Sequence, residues 1–215
     1  MVDIEKIEKR TVRSFYEDGL FEIALGLVFL LLGGYFFLQA VVPEDSAFGS
    51  VLSVLFIFVI FFAVFFVNRL LRFLKRRITY PRTGYVAFKK KEPSPKRRVA
   101  AAVTGGLMGA SLAALYGLSP SVRTLLPALN GILLAVVVFL VANKIGLIRY
   151  FVLAAVSVVI GFAVTAAGIG DIKGVSLYYG LFGAAAVLSG LAALFVYLKR
   201  SPRPAAEGPE GPDAR

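Results

Sequence analysis

The chain contains no cysteine, no histidine and no tryptophan, and only two methionines. Without cysteine there are no disulfides, thiol nucleophiles, thiolate-ligated zinc sites or iron–sulfur clusters. Without histidine there is no Ser-His-Asp triad, no imidazole metal site and no imidazole pH sensor. Two methionines make thioether ligation a poor theme, and the lack of tryptophan removes one common membrane-interface anchor. Acids are also scarce where the chain is apolar: Glu22 is the only one placed within an apolar segment. Paired carboxylates suited to acid–base catalysis are missing, since Glu44 and Asp45 are adjacent in a turn and do not face each other. The chain therefore reads as non-enzymatic, with no catalytic residue, no metal and no cofactor.

What remains is apolar and basic. Hydrophobic residues make up 58% of the 215 positions and charged ones 17%, against about 45–50% and about 25% in a typical soluble domain. The apolar residues fall into six segments, each near the ~20 residues needed to cross a hydrocarbon layer about 30 Å thick. The first two run from Leu20 to Val42 and from Val51 to Val67. The third runs from Val99 to Leu118 and the fourth from Leu125 to Ala142. The fifth reaches Gly168, and the sixth runs from Val175 to Leu198. Between and around them lie four, zero, twelve, one, two, one and four lysines or arginines. Basic residues resist translocation, so this alternation predicts that both termini lie in the cytoplasm. The expected fold class is an all-α membrane protein with six transmembrane helices, in a prokaryotic plasma (inner) membrane. An interfacial helix covers 1–18, the membrane domain 19–198, and a disordered cytoplasmic tail 199–215.

In 1–18, Ile4, Ile7, Thr11, Val12, Phe15 and Tyr16 recur at helical spacing, and Lys6, Lys9, Arg10 and Arg13 form a second, basic face. That pattern predicts an amphipathic helix lying in the inner leaflet's interface. The loop 70–98 is the only substantial soluble segment. With Arg69 it holds twelve basic residues against one acid, Glu92, which equals the net charge of the whole chain, +11. Leu70 to Arg77 extend the second span as helix. Around the turn sequence Pro81-Arg82-Thr83-Gly84, β-branched and aromatic residues predict a small hairpin over 78–88.

The spans differ in texture. Phe56, Phe58, Phe61, Phe62, Phe65 and Phe66 crowd the second, which should face lipid over a wide arc. Small residues mark the third (Gly105, Gly106, Gly109, Ala110) and the sixth (Gly180, Gly183, Ala184, Ala186, Gly190), as in close helix crossings. The third and sixth spans are thus expected to be central and the second peripheral. Gly26 to Gly34 faintly echo Gly180 to Gly190, too weakly to define a repeat. Gly168 to Gly174 lack the Gly-Lys-Ser/Thr ending of a phosphate loop and read as a tight turn.

Two intramembrane polar residues are site candidates. Glu22 lies about one turn inside the first span and shares a helical face with Asp18. Arg149 or the basic loop is its expected partner. Asn130 should bond across to another helix, whereas Thr104, Ser111, Ser157, Thr165 and Ser189 are expected to bond back to their own backbones. The basic loop has three readings: topogenic charge, recognition of anionic lipid headgroups, and binding of an acidic protein or nucleic acid, the last carrying least weight. Its candidate contacts are Arg76, Arg77, Tyr80, Arg82 and Tyr85.

The segments Asp18-Gly19-Leu20-Phe21-Glu22-Ile23-Ala24-Leu25-Gly26-Leu27 and Tyr80-Pro81-Arg82-Thr83-Gly84-Tyr85-Val86 resemble those of small uncharacterised prokaryotic multi-pass membrane proteins. The resemblance covers the first two spans and the loop. It implies no activity, and it implies that Glu22 and the hairpin act together at the cytoplasmic face. The leading functional expectation is a membrane interaction or accessory protein whose basic face binds anionic lipid or a partner. The alternative is a small oligomeric channel or transporter with Glu22 and Asn130 near its pathway.

Overall fold

The computed structural model describes residues 16–43, 46–79 and 123–200. Among these residues every regular element is helical and no strand occurs. Five long helices are present: α1 (Leu20–Val41), α2 (Ala47–Leu74), α3 (Leu126–Ile145), α4 (Ile148–Ala166) and α5 (Asp171–Arg200). A π-helical turn, Lys75–Thr79, continues α2. Helices α1, α3, α4 and α5 are each long and apolar enough to cross a membrane. At 1.5 Å per residue the 22 residues of α1 rise about 33 Å, close to the hydrocarbon thickness of a bilayer.

The closest packing joins α1 and α5, which run antiparallel. Gly19, Gly26 and Gly33 recur every seven residues, nearly two helical turns, and so lie on one face. Opposite them stand Gly190, Gly183 and Ser176, again seven apart. A Cβ at Gly26 would lie 2.7 Å from the Gly183 carbonyl oxygen, and one at Gly183 would lie 2.8 Å from that of Gly26. Backbone atoms and the side chains of Val187, Ala193, Leu30 and Ile23 fill this seam, so the two helices gain close dispersion contact along their lengths. Gly19 has a second constraint. It precedes α1 with φ +70°, a conformation that favours glycine, and it abuts the Gly190 backbone.

Helices α3 and α4 form a second antiparallel pair, joined through Gly146 at φ +72°. Gly131 and Gly161 face each other there, each with no room for a Cβ. Pro127 sits in the first turn of α3, where its missing N–H leaves no bond unmade. Helix α5 touches α1, α3 and α4 and is the central helix of the described bundle. Its Phe182 and Ala186 pack into the core with Val138, Ala142, Tyr150 and Leu153. Helix α2 packs on α1 through Phe56 and Leu52, while Phe58, Phe61, Phe62 and Phe65 are 60–76% exposed. The peripheral place expected for this helix, and the central place expected for the sixth apolar segment, are both seen among the described residues.

Several expectations change. The hairpin over 78–88 does not begin at Ile78. Ile78 and Thr79 finish the π-helical turn, because the helical bonding of α2 runs on past Leu74 and the Thr79 hydroxyl is held by Asp18. Positions 80–88 lie outside the described residues, as do the amphipathic face of 1–15, the third apolar segment 99–118 and the tail 201–215. Helix α5 starts at Asp171 rather than Val175, so only the first part of the Gly168–Gly174 stretch is a turn.

Candidate functional site

Four parts of the chain meet at one end of the bundle: the entry to α1, the exit of α2, the α3–α4 turn, and the exit of α5. Two buried ion pairs tie them together. The first is built on Asp18, fully buried in the turn before α1. Its Oδ1 accepts from the Leu20 N–H at 3.2 Å, serving the unfilled donors at the helix start. Its Oδ2 accepts from the Thr79 hydroxyl at 2.9 Å and faces the Lys75 ammonium at 3.3 Å. Lys75 is 3% exposed. Burial pulls its ammonium below the ordinary lysine range, and Asp18 opposes that shift.

The second pair joins Glu22, also fully buried, to Arg149 at the start of α4, with Nε 2.6 Å from Oε1. The N–H is poorly aligned with the oxygen, so the attraction is chiefly coulombic. Glu22 Oε2 accepts from the Ser189 hydroxyl of α5 at 3.1 Å. The Arg149 guanidinium also donates to the backbone carbonyls of Tyr16 and Glu17, strapping the chain that enters α1. The Tyr16 ring stands edge-on to Phe21 and Tyr150, closing the clasp with aromatic carbon. Of the two partners foreseen for Glu22, Arg149 takes it, while the basic segment's Lys75 takes Asp18.

The remaining charges at this end are sorted by sign. Arg69, Arg72, Arg76, Arg77, Lys144, Lys199 and Arg200 are exposed; among the described acids here, Asp18 and Glu22 are buried and only Glu17 is exposed. Arg77 lies 5.0 Å over the Phe73 ring and Lys199 4.4 Å over that of Phe195, so each covers an aromatic of its own helix. Tyr80, Arg82 and Tyr85 lie outside the described residues.

Asn130 belongs to a different network. Its amide donates to Leu126 O at 2.9 Å, and its Oδ1 accepts from the Tyr179 hydroxyl of α5 at 2.8 Å. Beside it the Tyr178 hydroxyl meets Ser157 at 2.7 Å, and Ser157 donates to Gly131 O at 2.9 Å. Ser157, Ser189 and Thr165 therefore do not bond back within their own helices as expected. Thr165 accepts from Ala128 N–H at 3.1 Å. The glycine contacts bring neighbouring helices near enough for a short hydroxyl to reach across. Glu22 binds at Ser189 and Asn130 at Tyr179, ten residues apart and so about 15 Å along α5. A cleft of about 780 Å³ lies between α1 and α2, and neither Glu22 nor Asn130 lines it.

Lys75, Thr79, Ser189 and the two tyrosines were not singled out by sequence reasoning as parts of these networks. A readable signal did exist: aligning the seven-residue series 19, 26, 33 against 190, 183, 176 sets Glu22 level with Val187, within one helical turn of Ser189. The class defined by this architecture is an all-helical protein compatible with a membrane. Comparison with known protein families, curated proteins and solved structures finds no match for this chain.

Proposed function

We propose that this is a six-span membrane protein of a prokaryotic plasma membrane, with both termini cytoplasmic, that acts by binding rather than by catalysis. Its basic end, placed at the cytoplasmic face, recognises anionic lipid. The observation that carries this reading is the charge sorting: buried acids are consumed by Lys75 and Arg149, while seven cations stay exposed at the same end. Cations beside a span attract anionic headgroups by about 1 kcal/mol each. A transport pathway has less support, because Glu22 and Asn130 are committed to helix–helix bonds at different depths.

The topology is tested by cysteine labelling, which this cysteine-free chain permits without background. Cysteines replacing Ser46 and Lys173 should react with an impermeant reagent in intact cells, whereas those replacing Lys144 and Arg200 should not. Labelling of the Arg200 position from outside would overturn the orientation.

The lipid reading is tested by purifying the full chain with its bound lipid and measuring that lipid by mass spectrometry. Anionic phospholipid should be enriched over the bulk membrane extract, and the enrichment should fall in high salt as screening weakens the attraction. Retained lipid of bulk composition at every salt concentration would overturn the proposal.

A further inference from the structure

Among the described residues, helix α2 carries a stripe of exposed side chains. Positions 58, 62, 65, 69, 72 and 76 follow a spacing of four and three, so they share one face of the helix. Phe58, Phe62 and Phe65 are 60–66% exposed, and Arg69, Arg72 and Arg76 are exposed as well. The stripe thus changes from aromatic to cationic at a single point. At its apolar end it runs into the cleft between α1 and α2, whose lining includes Phe58 and Phe62 from α2 and Leu30 and Gly34 from α1. Arg77 points away from this line, over Phe73.

We propose that the stripe and cleft bind one anionic phospholipid of the leaflet at the basic end. Its phosphate sits on Arg69 and Arg76, and one acyl chain runs past Phe65 into the cleft. The dimensions agree. From Phe58 to Arg69 the helix rises about 17 Å, and one leaflet's hydrocarbon is about 15 Å deep. Charge complementarity decides between occupants. A second copy of this chain, held parallel by the membrane, would set arginines against arginines, whereas an anionic phosphate neutralises them. This inference rests on the proposed orientation and adds the place and chemistry of the lipid.

The lack of tryptophan supplies the test. Phe65→Trp introduces a single indole on the stripe, and Leu140→Trp a single indole on outward-facing α3 near the same end, where Leu140 is 63% exposed. Each full-length variant is reconstituted in vesicles containing brominated phosphatidylglycerol or, at equal mole fraction, brominated phosphatidylcholine. Relative affinity at the Phe65→Trp indole should favour phosphatidylglycerol about 25-fold, about fivefold from each of Arg69 and Arg76, and both lipids should quench the Leu140→Trp indole alike. Losing Arg69 by Arg69→Gln should cut that preference about fivefold, about 1 kcal/mol. Adding Arg76→Gln should erase it. Lys173→Gln removes the same charge at the opposite end of the bundle, where Lys173 is exposed, and should leave the preference in place.

Equal quenching of the Phe65→Trp indole by both lipids would overturn the site. Quenching by neither would mean that protein covers the stripe, and would overturn it too. If anionic lipid is nevertheless enriched in the purified protein, the fault lies with this site alone. If enrichment is also absent, the lipid-binding reading falls with it.

Discussion

Arg149→Met should destabilise the folded protein by about 3–5 kcal/mol, read as a lowered midpoint of reversible unfolding in bicelles. The substitution keeps most of the side chain's length but leaves the Glu22 carboxylate buried without its counter-ion, and an unpaired buried charge is among the costliest defects. It also releases the carbonyls of Tyr16 and Glu17. Combining it with Glu22→Leu should recover much of the loss, because replacing both partners by apolar groups removes the unpaired charge. Recovery should be incomplete, since the strap on the α1 entry is not restored. A double variant no more stable than Arg149→Met would show that the strap, and not the ion pair, holds this end together.

The second large effect belongs to the α1–α5 seam. Gly26→Val should destabilise by about 1–3 kcal/mol or more. Its Cβ would meet the Gly183 carbonyl oxygen at 2.7 Å and the Val187 backbone nitrogen at 2.8 Å, and backbone atoms in a packed helix pair cannot step aside. Gly34→Ala, eight residues further along the same helix, should be neutral or mildly stabilising, because nothing lies within 4 Å of its added Cβ and alanine favours helix by roughly 1 kcal/mol. Thermal melting of both variants in one detergent checks the contrast. Equal loss at the two positions would mean that helix propensity, and not close approach, governs the seam.

These two sites differ in how far the chain announces them. Glu22 stands out at once, because a lone acid in an apolar segment needs a partner, and Arg149 is among the few cations near a span end. Asp18 shares its helical face, and the basic run after Arg69 is equally plain. The glycine seam is harder to read, since glycine is common in membrane helices. Only the pairing of 19, 26 and 33 with 190, 183 and 176 gives the spacing a meaning, and pairing is a property of two helices at once.

Composition and hydropathy alone pointed to helices long and apolar enough to cross a membrane, four of which stand among the described residues, because a run of ~20 apolar residues has few other stable uses. They also determined which helix is peripheral, since a span covered in phenylalanine cannot be approached closely by others. The charge census marked one end as basic from local sequence. What only the tertiary structure decided is who meets whom. Lys75 turns inward to Asp18 while its neighbours Arg76 and Arg77 stay exposed, although all three have the same charge and adjacent places in the chain. The choice is made by the π-helical turn, which brings Lys75 and Thr79 onto one carboxylate. Likewise Ser157, Thr165 and Ser189 reach across to neighbouring helices because glycines bring those helices close. Periodicity reports which face of a helix is special, and the distance to the next helix sets what that face does.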